Sequence, residues 1–220
     1  FRIGRLYYLH NQFDQATPYF KDLVKNYPKT KYAEYSANLL LDAFNLRKDY
    51  EGLSKAGEEL LTIPSIANSK AGADIKNVLE KASFKKGQDL EVQKDYAGSA
   101  ALFESFGRKN LTSPLATTAF FNAAINYERA GQMPKAIVAH QSVLRSQDPK
   151  AQPLKLKSRR VLAKLYQDSG QLEEAAQLFE ASAKESEGDT LLPALYFNAA
   201  ILYESTGQSG KAVNMYEQYF

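Results

Sequence analysis

Small, aromatic and glycine positions recur along the second half of the chain with the spacing of paired helices. An alanine is followed three residues later by a tyrosine, then by a Gly-Gln pair and a second alanine. This frame occurs three times, with its turn glycines 39 and 37 residues apart, at Gly131, Gly170 and Gly207. A period of this length is typical of helix–turn–helix units that stack on their neighbours. The pattern therefore predicts an array of helical repeats.

The alanine that follows each turn glycine by five residues also marks weaker repeats upstream. Its equivalents are spaced by 37, 46, 37, 39 and 37 residues, at Ala16, Leu53, Ser99, Ala136, Ala175 and Ala212. Four positions after these anchors come Phe20, Gly57, Phe103, His140, Phe179 and Tyr216. The small anchors are expected to let two antiparallel helices approach closely, with the large side chains filling the space beside them. The 46-residue interval predicts extra material with helical spacings after the second repeat.

These positions resemble the tetratricopeptide repeat (TPR), which combines a small residue, an aromatic, a turn glycine, an alanine, a second aromatic and often a proline. The first repeat matches at Gly4, Tyr7, Ala16, Phe20 and Pro28, and the last three match at Tyr127, Tyr166 and Tyr203. The resemblance implies an all-α fold, a right-handed α-solenoid of about six helical hairpins in one domain. The expected repeats are 1–30, 34–64, 80–113, 117–150, 156–189 and 193–220, with a helical insertion over about 65–79. The second repeat matches worst, because Leu41 and Gly57 stand where a small and a large residue are expected.

Composition narrows the class of protein further. With 44% hydrophobic and 24% charged residues, the chain has the character of a folded globular protein. The net charge of +3 gives no global field that would favour nucleic acid or an anionic membrane. Cysteine is absent, which excludes disulfides, thiolate zinc sites and a cysteine nucleophile within these residues. No run of the sequence approaches the roughly 18 apolar residues of a membrane span. From its first and last residues, the chain is expected to be a fragment of a longer one.

No constellation of residues indicates catalysis or a cofactor. The two histidines, His10 and His140, are isolated in sequence, and there is no phosphate loop, nucleophile elbow or dinucleotide fingerprint. His140 occupies a core position of the repeat, so we expect it to be buried or half-buried, while His10 is expected near a helix end. The prediction is a protein without enzymatic activity, metal or cofactor.

A candidate binding groove follows from the TPR resemblance, in which the first helix of each repeat lines the concave face. Lys157, Arg160 and Lys164 are spaced by three and four residues and therefore share one stripe of such a helix. Asn122 and Asn198 occupy equivalent positions in two other repeats, each in the string Phe-Asn-Ala-Ala-Ile. Together these five residues could hold the backbone and acidic groups of a protein or peptide.

Other interpretations of the same residues remain open. The cations could be ordinary exposed side chains, and the two asparagines could bridge adjacent helices. Thr118, Phe121 and Ile125 at groove positions depart from the TPR pattern that grips a C-terminal carboxylate, and Phe121 and Phe197 fit either partner contacts or the core. The basic segment from Lys150 to Lys164 lacks the interleaved aromatic residues of a nucleic-acid platform, so nucleic acid is not expected as a partner.

The junction between the first two repeats suggests a cellular setting. The segment from Phe20 through Tyr27-Pro28 to Ala33 and Ala37 resembles bacterial envelope repeat proteins, which include the outer-membrane assembly lipoprotein of the barrel-insertion complex and the periplasmic partner of the Tol system. The resemblance implies a periplasmic scaffold for an envelope assembly. Two alternatives remain, a cytoplasmic peptide-binding adaptor or regulator and an accessory TPR domain of a larger enzyme.

Overall fold

The computed structural model describes residues 1–186 and 188–219, and within them the regular structure is entirely helical. Thirteen α-helices follow one another in the described residues, with one short 3₁₀ turn at Pro149–Ala151 before the tenth. They are α1 Arg2–Leu9, α2 Phe13–Asn26, α3 Lys31–Leu46, α4 Tyr50–Leu61, α5 Pro64–Ala67, α6 Lys70–Val92, α7 Tyr96–Lys109, α8 Ala116–Arg129, α9 Met133–Leu144, α10 Gln152–Asp168, α11 Leu172–Lys184, α12 Leu192–Ser205 and α13 Ser209–Tyr219. No described helix is both long enough and apolar enough to cross a membrane.

The chain forms two compact parts, Phe1–Asp89 and Leu90–Phe220. In the first part, α1 packs on α2, α2 on α3, and α3 on α4. In the second part, every helix from α7 to α13 packs against the next one along the chain. This order of neighbours confirms the predicted fold class, an all-α solenoid of TPR-like hairpins. The six repeat boundaries proposed from the sequence stay a prediction.

Six turns with a left-handed residue join the two helices of a pair in the described residues, each five positions before an anchor of the repeat. Their positions are Asn11, Lys48, Lys94, Gly131, Gly170 and Gly207, all with φ between 57° and 79°. In each turn the next amide donates to the carbonyl of a residue five positions earlier, as Gln132 does to Tyr127 over 2.8 Å. This closure satisfies carbonyls at the end of the preceding helix. Only three of the six turns use glycine, which is why the upstream repeats look degenerate in sequence.

The anchor positions of the repeat form the centre of each helix pair. Ala16, Leu53, Ser99, Ala136, Ala175 and Ala212 are all at most 3% exposed. Five of these six side chains are small and let the two helices of a pair approach closely. The large side chains four residues later, such as Phe20 and Phe179, fill the space beside them. His140 takes one of these aromatic positions and is completely buried, as expected from the sequence. His10 caps the end of α1, which also agrees with the prediction.

Gly57 is the exception among the aromatic positions, and the insertion explains it. A Cβ atom on Gly57 would lie 2.6 Å from Cδ2 of Leu79, which belongs to the first half of α6. Leu79 therefore occupies the volume that an aromatic ring takes in other repeats. The contact with Leu79 of α6 thus accounts for the poor match of the second repeat at Gly57.

Candidate partner-binding surface

The predicted cationic stripe lies on α10. Lys157 and Lys164 are exposed, and neither ammonium group forms an ion pair with any residue in the described ranges. Ser158 and Leu162, on the opposite side of the helix, are buried. The helix therefore turns two unpaired positive charges to solvent while its other face holds the core.

Arg160, the third member of the stripe, is held within the protein. Its Nη2 atom donates to Oγ of Ser186 over 2.7 Å and to Oδ2 of Asp189 over 2.5 Å. The Asp189 carboxyl also accepts the Leu191 amide, and this bond, followed by the contact with Arg160, lowers the pKa of Asp189. Arg160 thus ties α10 to the segment before α12, which the sequence could not indicate because the two charges are far apart along the chain.

The two asparagines lie on the first helices of flanking repeats. Asn122 is half-buried on α8, where its backbone carbonyl accepts a 3.0 Å hydrogen bond from Nδ2 of Asn126. Asn198 is half-buried on α12. No hydrogen bond joins any two of the five predicted groove residues in the described part of the chain. The five residues therefore form no preassembled cluster; what they share is placement on the first helices of three successive repeats.

Large apolar side chains occupy the positions of α8 and α12 that correspond to Arg160 and Lys164 of α10. Phe121 and Phe197 align with Arg160 at intervals of 39 and 37 residues, and Ile125 and Ile201 align with Lys164 in the same way. The Phe121 ring packs on His140 with ring centroids 6.2 Å apart, and Phe197 packs on Tyr216 at the same distance. Phe197 and Ile201 are still 40% and 42% exposed. Two apolar stripes therefore flank the cationic one in repeat register.

Tyrosine hydroxyls fix the first helix of each later repeat to the repeat before it. Tyr127 donates to Oε2 of Glu104 and Tyr203 donates to Oε2 of Glu180, both over 2.6 Å. At the junction between them, Tyr166 accepts a 2.7 Å hydrogen bond from the Gln141 side chain. These three hydrogen bonds occur at equivalent repeat positions. They link α8, α10 and α12 to the helices that precede them, α7, α9 and α11.

These links also shift the ionisation of the residues that form them. Burial first, and then the bond to a carboxylate, raises the pKa of Tyr127 and of Tyr203 above the usual 10.0. For Glu104 and Glu180 desolvation is the largest influence and acts to raise the pKa. Hydrogen bonds from the tyrosine and from a neighbouring Arg108 or Lys184 outweigh it, so both carboxyl pKa values are lowered.

The comparison with family models decides the family. Three models described as tetratricopeptide repeat match residues 1–30, 84–152 and 193–220, which together make up more than half of the chain. The chain belongs to the TPR family. As in other TPR proteins, stacked helix pairs supply an extended surface of the kind that binds other proteins.

Several solved structures are also similar to this chain. They include BtubC from P. vanneervenii, with 13% identity, a TM-score of 0.48 and coverage of 94% of this chain and 87% of that one. PilW, described as a widely conserved type IV pilus biogenesis factor, has 19% identity, a TM-score of 0.44 and coverage of 99% and 89%. YrrB, described as a TPR protein with an unusual peptide-binding site, has 16% identity, a TM-score of 0.46 and coverage of 91% and 90%. A comparison with curated proteins finds no match.

The described residues of this TPR surface combine cationic, amide and apolar side chains. No group of three or more histidine, aspartate or glutamate side chains in the described ranges is arranged to hold a metal ion. The fully buried His140 places Nε2 2.9 Å from Oε1 of Glu128, so this histidine lies within the helix pair. The surface offers unpaired cations, half-buried amides and partly exposed apolar side chains, which are the elements of a polar and apolar protein contact.

Proposed function

We propose that the chain is a non-catalytic scaffold that holds a protein or peptide partner along α8, α10 and α12. The observation that carries this proposal is the alternation of charge across three successive repeats. Lys164 aligns with Ile125 and Ile201 of the neighbouring first helices, and Lys157 lies on the same stripe of α10. Neither lysine has an ion-pair partner in the described residues. A partner that supplies acidic groups would complete the electrostatics of this surface.

The partner that fits best is a segment whose acidic residues are flanked by large apolar ones. Its carboxylates would meet Lys157 and Lys164, and its apolar side chains would cover Phe197 and Ile201. The half-buried amides of Asn122 and Asn198 would bind its backbone, as predicted from the sequence. Arg160 would contribute charge through its remaining donors while Asp189 keeps it in place.

Selection from a phage-displayed random peptide library tests this assignment directly. We expect the purified protein to enrich peptides that combine Asp or Glu with large apolar residues. The double variant Lys157→Glu and Lys164→Glu should weaken a selected peptide by about tenfold or more, because attraction becomes repulsion. Arg160 is left unchanged in this variant, since its replacement would also break the link to Asp189.

A matched control keeps the net charge change and alters another surface. Lys21→Glu with Lys25→Glu places a comparable charge reversal on the exposed face of α2, a second helix of its repeat. This control should bind the selected peptide with wild-type affinity. Equal binding by the wild type and the α10 double variant, or equal loss in both double variants, would contradict the proposed groove.

We further propose that the partner belongs to a bacterial envelope assembly and that the protein works in the periplasm. The support is the resemblance of the junction between the first two repeats, from Phe20 through Tyr27-Pro28 to Ala33 and Ala37, to bacterial envelope repeat proteins. Fractionation of native cells after release of the periplasm, with immunodetection of the full-length protein, tests the compartment. Recovery with the cytoplasm would instead support the cytoplasmic adaptor, and covalent linkage to a catalytic domain would support the accessory domain.

A further inference from the structure

A cavity of about 810 Å³ lies between the α7–α8 loop, the first turns of α8 and the end of α9. Its size falls within the range of roughly 300–1,000 Å³ that is usual for ligand pockets. The apolar part of its wall includes Leu111, Pro114, Ala116 and Phe120. A 2.6 Å hydrogen bond between the hydroxyls of Thr117 and Ser146 joins α8 to the end of α9 within this wall. The cavity thus has an apolar wall, and the hydrogen bond between Thr117 and Ser146 holds two of its sides together.

Positive charge dominates the polar part of the wall. Arg108, Arg145 and Lys150 line the cavity, against one carboxylate, that of Asp148. Asp148 accepts the backbone amide of Lys150 over 2.9 Å. Arg108 is paired with Glu104 over 2.6 Å. The side chains of Arg145 and Lys150 have no ion pair with any residue among 1–186 and 188–219.

The repeat explains why Arg145 lacks a partner. In the preceding repeat Glu104 pairs with Arg108 four residues later, and in the following one Glu180 pairs with Lys184 over 2.7 Å. The corresponding pair in this repeat is Gln141 and Arg145. Because Gln141 is neutral, Arg145 has no carboxylate four residues before it, and its guanidinium, unpaired in the described residues, lines the cavity.

The next repeat has an ion pair at the positions that line the cavity here. Phe120 and Ser146 correspond to Arg159 and Glu185, each 39 residues later. Nη1 of Arg159 lies 2.7 Å from Oε2 of Glu185. The cavity therefore exists where a charged pair has been replaced by a phenyl ring and a hydroxyl.

We infer that this cavity binds an organic carboxylate with an apolar body, its head at Arg145 and Lys150 and its body against Phe120 and Leu111. Two sources share this chemistry, the C-terminal residue of a peptide and a free fatty acid. None of the residues that line the cavity is one of the five predicted groove residues, and binding there does not depend on the proposed scaffold function.

Small probes with and without charge test the site. Titration of ¹⁵N-labelled protein with N-acetyl-phenylalanine and with octanoate, up to about 10 mM, should shift the amide signals of Leu111, Thr117 and Ser146. The neutral analogues N-acetyl-phenylalanine amide and octanamide should bind about tenfold more weakly. The tighter acid identifies the source. Equal binding of acids and amides, or shifts confined to other residues, would overturn the assignment.

Two variants that copy the other repeats remove the site without removing the fold. Gln141→Glu restores the pair that Arg108 and Lys184 have, and Ser113→Asp introduces the carboxylate that Asp189 provides at the equivalent position two repeats later. Ser113 Oγ accepts the Leu115 amide as Asp189 accepts that of Leu191, so the turn tolerates the change. Each variant should weaken the acid probes about tenfold, whereas Lys164→Gln should leave them unchanged. Wild-type affinity in both variants would refute the proposal.

Discussion

The Tyr203 hydroxyl donates a 2.6 Å hydrogen bond to the Glu180 carboxylate, which also accepts a hydrogen bond from Nζ of Lys184 over 2.7 Å. Lys211 lies over the face of the same tyrosine ring, 4.9 Å from its centroid. The arrangement recurs two repeats earlier with Tyr127, Glu104, Arg108 and Lys135. A charged network therefore joins successive repeats at two places and keeps the first helices in position.

Removal of the hydroxyl should reveal what this link contributes. Tyr203→Phe keeps the ring and loses a hydrogen bond to a charged acceptor, so the free energy of unfolding should fall by about 1–3 kcal/mol. Tyr166→Phe is the matched control, because its partner Gln141 is neutral, and its loss should be smaller, about 0.5–1.5 kcal/mol. Urea denaturation followed by circular dichroism measures both. A larger loss at Tyr166 than at Tyr203 would contradict this view of the junctions.

The same network predicts how stability depends on pH. The pKa values of Glu104 and Glu180 are lowered in the folded chain, so their contribution is present above the usual value of 4.5 and is lost as the pH falls through the folded values. The pKa values of Tyr127 and Tyr203 are raised, so their contribution is present below 10.0 and is lost as the pH rises towards the folded values.

Melting temperatures across the pH range test this dependence. Stability should decline on both sides of a plateau, and the double variant Tyr127→Phe with Tyr203→Phe should flatten the decline above about pH 10 and reduce the one below about pH 4.5. The control is Tyr19→Phe, an exposed tyrosine outside these links. A double variant whose pH profile has the wild-type shape would show that other groups determine it.

Backbone strain at the turns predicts a substitution that increases stability, in contrast to the tyrosine variants above. Lys94 has φ of 64°, a conformation that costs a residue with a side chain roughly 1–2 kcal/mol relative to glycine. Lys94→Gly should therefore raise the free energy of unfolding by about 1 kcal/mol. The reverse change, Gly131→Ala, should lower it by a similar amount, because nothing lies within 4 Å of the new Cβ atom and only the backbone is strained. Destabilisation by Lys94→Gly would refute this account.

The positions of the repeat can be predicted from the sequence, but the individual side-chain contacts between helices and loops cannot. The turn positions, the buried anchors and the burial of His140 follow from a period that the repeats share. The three clear repeats therefore predicted the equivalent anchor positions upstream. Arg160 illustrates the opposite case. Its bond to Asp189 depends on the path of the segment after α11, and no periodicity encodes a contact between a helix and a loop beyond the next helix.

The cavity beside Arg145 was also beyond sequence reasoning, although a signal for it exists. The cavity lies where this repeat has Gln141 in place of a glutamate, and Phe120 and Ser146 in place of an Arg–Glu pair. These differences become visible only when the repeats are aligned with known contacts. A deviation from the repeat was informative at Gly57 as well, where it marked the contact with Leu79. Positions that depart from the repeat pattern therefore indicate the features that are particular to this protein, such as the cavity and the contact between Gly57 and Leu79.

The contact between Gly57 and Leu79 can be tested as a pair. A methyl group on Gly57 would meet three atoms of the Leu79 side chain within 3.0 Å, so Gly57→Ala should overpack the contact between α4 and α6 and lower the free energy of unfolding by about 1–3 kcal/mol. Leu79→Ala alone leaves space beside Gly57 and should destabilise the fold as well.

Combination of the two changes should recover part of the loss, since the new methyl group enters the space that the leucine leaves. The double variant should therefore be more stable than the sum of the single losses predicts, by about 1 kcal/mol in a double-mutant cycle. The matched pair Gly52→Ala with Leu79→Ala provides the control, because a side chain on Gly52 would meet Asp49 and Phe44 and not Leu79. Additive losses in the Gly57 cycle would mean that the insertion does not fill the aromatic position of the second repeat.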